Sequence, residues 1–268
     1  DVCSSDLDVP LSSKKSRYQQ TSMGSVFCQM IKEELEDCDV AMINGASIKG
    51  DTTYQNAKMS YSELKTELPF PTKIVLVEMT QHELNQAIHY SRTATEDGVG
   101  LGAEEVPRRG YLQVDYDWDQ RMRGRNKEDT IHEATPLKVA LPRNLLNGFC
   151  KIKPLMNVGK RLKEEGLFPG DDDFIPAIDL IVRHACKNRW LHFVRDKKSF
   201  RHFDLNHDGM LDRHEIKIMM EDALGYEPAD FVVDDMIGSI DLDENIAIDT
   251  EVKRMSIFSQ PCSQTFQL

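Results

Sequence analysis

The sequence predicts an α+β domain followed by an all-α segment, and three observations carry that reading. Over the first half of the chain, short apolar runs of strand type alternate with stripes of helical period. The turn-rich stretch EEGLFPGDDDFIP at 164–176 then interrupts the pattern and is the best place for a domain boundary. Beyond it the periodicity is helical, broken by an acidic loop, DLNHDGMLDRHE at 204–215.

The elements follow in order. Residues 1–16 are polar and read as extended. TSMGSVFCQMIKEEL, 21–35, is a helix with Val26, Phe27, Met30, Ile31 and Leu35 on its buried side and Cys28 as a small core residue. DVAMIN, 39–44, is a buried strand running into a glycine turn. In MSYSELKTELPF the pair Ser60 and Glu63 forms a capping box, opening a short helix that Pro69 stops. TKIVLVEMT, 72–80, is a strand, and Thr80 with Glu83 opens a further helix that turns Leu84, Ala87 and Ile88 inward. After a glycine-rich, charged loop at 93–109, GYLQVDYDW and LKVALP read as strands. The pattern loosens from 150 to 172, and PAIDLIVRHACKNRWLHFV, 176–194, is a helix leading into the acidic loop.

That loop has the residues a hard cation needs. Calcium takes six to eight oxygens, which a twelve-residue loop supplies from its first, third, fifth, seventh, ninth and twelfth positions. Here these are Asp204, Asn206, Asp208, the carbonyl of Met210, Asp212 and Glu215, with Gly209 at the sixth position, where the chain must turn sharply. The flanks SFRHF and EIKIMMEDALG set Phe200 and Phe203, then Ile216, Met219, Met220 and Ala223, on helical stripes. The whole is an EF-hand pattern, with Ca²⁺ as its expected cofactor. Downstream, DLDENIAIDTEV at 241–252 keeps Asp241, Asp243 and Asn245, but has Ile246 for the glycine and Val252 for the glutamate. It reads as a degenerate partner loop that pairs with the intact one through Leu211 and Ile248. The EF-hand pair is expected over 175–258.

Composition narrows the partners. A net charge of −12 and a pI near 5.2 argue against a nucleic acid or an anionic membrane. No apolar run reaches a membrane span, and the six widely spaced cysteines form no CxxC or Cys/His cluster of zinc spacing. The opening DVCSSDLDV reads as the middle of a sequence, so a preceding region is expected.

The first domain carries a recognisable order of motifs. AMINGASIKGD resembles the NGGGIR motif of the 5'-nucleotidase family, in its C-terminal, substrate-binding domain. SRYQQTSMGS, ELPFPTKIVLVEMTQHEL, GYLQ and KVALPRNLLNG resemble further segments of that domain, in the family's order, over residues 10–160. The resemblance implies a mixed-sheet fold in which Arg17, Asn44, Gly45 and Lys49 line the phosphate and ribose region and Phe70 stacks on the base. Three departures stand out: Lys49 replaces an arginine, Asn144 falls where a second stacking phenylalanine belongs, and the following loop is shortened to NGF at 147–149. The family's dimetal motifs are missing as well. Asp212-Arg213-His214 is the sole DxH match, and GNH and GHxH do not occur.

Two readings result. In the first, the chain is the substrate-binding part of a metallophosphoesterase that acts on a nucleotide or other phosphate ester. Its divalent metal pair is then expected in an N-terminal metallophosphatase domain of the same full-length protein. In the second, it is a non-catalytic, calcium-responsive binding module. Many relatives are secreted or surface-bound, so the resemblance implies an extracytoplasmic place.

Overall fold

The computed structural model of the chain describes residues 2–4, 10–55, 58–93, 110–124, 136–195, 201–240, 248–249 and 266–267. It divides into two compact units, Leu7–His184, and Val2–Asp6 with Ala185–Leu268.

In the first unit α1, Ser22–Glu34, starts where the Thr21 hydroxyl accepts the Gly24 N–H at 3.0 Å, relieving an amide that the first turn leaves without a partner. It ends one residue before expected: Leu35 is extended, at φ −97° and ψ 123°, and only half buried. Cys28 lies in the core, where burial pushes its thiol well above the usual range. After β3, Val40–Asn44, the strands β4, Thr53–Tyr54, and β5, Lys58–Met59, are short; β4 pairs with β2, Leu11–Ser12. Both capping boxes form. Ser60 N–H donates to Glu63 at 2.6 Å ahead of α2, Tyr61–Glu67, and Thr80 N–H donates to Glu83 at 2.8 Å, where β6, Lys73–Thr80, passes into α3, Gln81–Thr93.

Two stretches differ from the sequence reading. GYLQVDYDW is strand only over β7, Leu112–Val114; its second half opens α4, Tyr116–Gly124. Asp115 makes the switch, accepting the N–H groups of Ala41 at 2.9 Å and Trp118 at 3.0 Å. A side chain thus takes up the amides that a longer strand would have paired. After β8, Pro136–Pro142, and the short α5, Arg143–Leu146, the loosened stretch holds a regular helix, α6, Lys153–Glu164. Leu155, Val158 and Leu162 on α6 are buried in the main core among Val77, Leu84, Val114 and Leu145. Within the turn-rich stretch, β9, Ile175–Pro176, adds to the sheet ahead of α7, Ala177–Arg195.

The five-stranded sheet has the order β7-β3-β8-β6-β9. It is mixed: β3 and β8 are parallel, whereas β7 on β3, and β6 on β8 and β9, are antiparallel. Among the described residues no helix is long and apolar enough to cross a membrane.

The second unit contains β10, Met210–Leu211, α8, Arg213–Leu224, α9, Asp230–Ile240, and β11, Ile248–Asp249. Strand β1, Val2–Ser4, pairs with β12, Phe266–Gln267. Phe203, Leu211, Ile216, Met219, Met220, Val233, Met236 and Ile237 form its core, whereas Ala223 is exposed. Phe200 and most of 241–252 lie outside the described residues.

Asp115 gives the first prediction. It is fully buried, with Lys32 Nζ 3.6 Å away, and burial pushes its carboxyl above the usual range against that cation. Asp115→Ala leaves two buried amides and part of an ion pair unmatched, so urea unfolding is expected to show a loss of about 3 kcal/mol.

Candidate functional site

The sheet register gathers the motif residues. Asn44 ends β3 opposite Leu112, the first residue of β7, and Pro142 ends β8 opposite Ile74 near the start of β6. Because β3 and β8 are parallel, the turn after β3, the turn after β8 and the segment before β6 leave the sheet at one end. They carry Asn44 to Lys49, Asn144 and Phe70.

Arg17 reaches the same end through a polar junction. The Ser16 hydroxyl donates to the Gly45 carbonyl at 2.9 Å, and the Gly45 N–H donates to the Tyr111 carbonyl at 2.7 Å. A Cβ on Gly45 would overlap the Ser16 carbonyl, so only glycine lets the two turns approach. Arg17, the next residue, is half buried; its Nε is buried without a hydrogen bond, and the guanidinium makes no ion pair among the described residues.

Lys49 is exposed and likewise meets no carboxylate among the described residues; its Nζ lies 5.4 Å from the centre of the Phe70 ring. With 55% of its surface exposed, Phe70 is not a core residue. Asn44 behaves differently. It is 1% exposed, accepts the Ser47 hydroxyl at 2.9 Å and has its amide 3.9 Å from the Cys150 sulfur, so it braces the turn. Asn144 is exposed, and its neighbour Arg143 donates twice to the Pro169 carbonyl and pairs with Asp171 at 2.8 Å.

Three residues of this end were not singled out from sequence. Cys150, at φ 63°, abuts Asn44. Gln113 holds the Arg17 loop, its amide donating to the Ser16 and Gln19 carbonyls, each at 2.7 Å. Glu67, fully buried, accepts from Ser13, Gly50 and Tyr54. Gln113 and Glu67 left a signal of position, as the last residue of the GYLQ motif and the first of ELPF.

In the second unit the acidic loop closes on itself. Gly209, at φ 84°, donates its N–H to Asp204 Oδ2 at 3.1 Å. Glu215 accepts the N–H groups of Leu205 at 2.8 Å and Asp212 at 3.0 Å, and Asp212 caps α8. Asn206 and Asp208 bond within the loop, Met210 is exposed at its rim, and Leu211 pairs with Ile248 across β10 and β11. Among the described residues no three His, Cys, Asp or Glu side chains stand gathered as a metal group. One atom nevertheless asks for a positive partner: Asp204 is 8% exposed, and its Oδ1 is buried with no hydrogen bond. The donor set is all oxygen, as a calcium loop requires.

The mixed α/β domain thus presents Arg17 and Lys49, without carboxylate partners among the described residues, at one end of its sheet. The family model for the 5'-nucleotidase C-terminal domain matches residues 4–139, half of the chain, and the chain belongs to this family. Among solved structures it is similar to a 5'-nucleotidase precursor from Thermus thermophilus, at 13% identity over 65% of this chain and 35% of that one, with a TM-score of 0.42. It is also similar to the NAD nucleotidase of Haemophilus influenzae, at 12% identity over 65% and 33% of the two chains, with a TM-score of 0.43. The chain therefore spans about a third of the length of these proteins. A comparison with curated protein sequences returned no match.

The Gly45 approach is testable on its own. Gly45→Ala is expected to cost about 2 kcal/mol in urea unfolding, because the added methyl must push the Arg17 loop away.

Proposed function

We propose that this chain is the substrate-binding part of a 5'-nucleotidase-type metallophosphoesterase, joined to a calcium-binding EF-hand module. The observation that supports it is the pair of cations, Arg17 and Lys49, without carboxylate partners among the described residues of a chain whose net charge is −12. Arg17 has the fork that binds two phosphate oxygens, and Lys49 adds a mobile point charge. Phe70 offers an exposed face to a base or sugar. Hydrolysis would fall to an N-terminal domain of the same full-length protein, whose divalent metal pair would serve to activate water. The residues of this chain bind the ester and orient it.

Calorimetry with AMP and ribose 5-phosphate tests the reading. Binding is expected, and Arg17→Ala is expected to weaken it about tenfold or more, the worth of one charged hydrogen-bonding group. If neither ester binds the wild-type chain, the reading is wrong.

The calcium part rests on Asp204, whose buried Oδ1 lacks a hydrogen bond, with Asn206, Asp208, the Met210 carbonyl, Asp212 and Glu215 completing the oxygen set. Bound calcium supplies charge that ties these oxygens together. Titration is expected to raise the thermal midpoint of the second unit, and Glu215→Gln to remove most of that rise, since it removes the negative charge and one of the two oxygens at the closing position. An unchanged midpoint in excess calcium would exclude the site.

One contact favours the second reading, a calcium-responsive binding module without an enzymatic role. Lys49 lies over a face of Phe70, and Asn144 stands where the family resemblance places a second stacking phenylalanine. AMP affinity that changes with calcium in a chain lacking any upstream catalytic domain would support it.

A further inference from the structure

The cations of the site stand on separate turns, so something must fix the distance between them. The Ser13–Arg17 stretch and the Lys49–Thr52 stretch meet through Ser13 N–H, which donates to the Thr52 carbonyl at 2.9 Å, and Thr52 N–H, which donates to the Ser13 hydroxyl at 2.9 Å. Beneath them lies Glu67, the last residue of α2 and 0% exposed. Its Oε1 accepts the Ser13 hydroxyl at 2.8 Å and the Tyr54 hydroxyl at 3.0 Å, and its Oε2 accepts the Gly50 N–H at 3.0 Å. The Glu67 carbonyl also accepts the Lys49 N–H at 2.8 Å. A Cβ on Gly50 would overlap the carboxylate, so the turn carrying Lys49 is seated directly on it.

Among the described residues no lysine or arginine pairs with this carboxylate. Burying it is costly, and only the full set of donors offsets that cost. A leucine would fill the same space for a simple packing role. What a carboxylate adds is three directional bonds to three separate segments: the one leading to Arg17, the one following Lys49, and β4. Three residues further on, the same chain turn presents Phe70.

We propose that Glu67 is a positioning residue for the anion site, holding the Arg17 and Lys49 turns at the separation and angle that let both cations reach one phosphoryl group. The proposal rests on the reading of that site as phosphate-ester binding. Positioning of this kind acts on affinity, because cations held in place lose little freedom on binding.

The test measures AMP affinity by calorimetry beside the thermal midpoint, on the full chain. Glu67→Ala is expected to weaken AMP binding about tenfold, as two cations lose their common brace. Glu67→Gln is expected to restore affinity to within about threefold of wild type. Its carbonyl still accepts from Gly50, and its amide donates to hydroxyls that can turn to receive it. Tyr54→Phe removes one bond without touching the core, and is expected to weaken binding about twofold even if Glu67→Ala does not fold. The proposal is overturned if Glu67→Ala lowers the midpoint yet binds AMP like wild type, or if Glu67→Gln binds no better than Glu67→Ala. Failure of the wild-type chain to bind AMP or ribose 5-phosphate would be a different result: it removes the phosphate reading, and this proposal with it.

Discussion

The side-chain amide of Gln113 is the constraint on which the candidate site depends. Fully buried on β7, it donates to the Ser16 and Gln19 carbonyls and accepts from Thr21, from the N–H at 2.8 Å and from the hydroxyl at 3.1 Å. An amide has two donors and two acceptor positions, and all four are used here. The loop that bears Arg17 has no regular secondary structure of its own between β2 and α1, and would otherwise leave its carbonyls bare. Gln113 substitutes for the missing strand partner. It sets where α1 begins and, through Ser16 and Gly45, where Arg17 stands relative to the end of β3.

The distribution of charge follows the same division of labour. Cations with structural duties are matched: Lys32 lies 2.7 Å from Asp117, Arg161 is 3.0 Å from Glu83, and Arg143 is 2.8 Å from Asp171. Each of these side chains ties two elements. Among the described residues Arg17 and Lys49 tie none by charge, although acidic residues outnumber basic ones, 45 to 33. An unpaired, partly desolvated guanidinium is costly to the fold and useful to a ligand, because an anion arriving there displaces no internal partner. On the proposed reading, the surrounding negative charge slows the approach of an anion, so affinity must come from local geometry more than from long-range steering.

The acidic loop of the second unit shows the opposite economy. Its carboxylates serve as acceptors for the loop's own N–H groups, and Glu215 alone receives from Leu205, Asn206 and Asp212. These bonds preorganise the turn around Gly209 and leave Asp204 Oδ1 as the buried oxygen without a bond. The pairing of Leu211 with Ile248 anchors the far side of the loop to β11. Apart from the Leu211–Ile248 pairing, these contacts fall within the twelve residues of the loop, so their pattern lies inside one motif-length window of sequence.

Legibility in the first unit sorts by the same measure. The capping boxes at Ser60 and Thr80 are three-residue patterns, and the strands over Val40–Asn44, Lys73–Thr80 and Pro136–Pro142 are continuous apolar runs, so both could be read directly. GYLQVDYDW misled because strand and helix share aromatic residues, and the switch lies in Asp115 reaching Ala41, 74 positions away. The helix over Lys153–Glu164 carries Leu155, Val158 and Leu162 at helical spacing, a legible stripe that the turn-rich residues on either side of it masked. In the candidate site, Arg17, Asn44, Lys49 and Phe70 were named from ordered motifs, which record position but not role; the structure gives Asn44 to the turn and leaves Arg17 without an ion pair among the described residues. Glu67 opens the ELPF motif, yet nothing local tells its role, for it reads as an ordinary helical glutamate until Ser13, 54 positions earlier, is brought onto it. The residues that fix a site's geometry are thus the hardest to see in sequence, because their partners are defined only by the fold they help to hold.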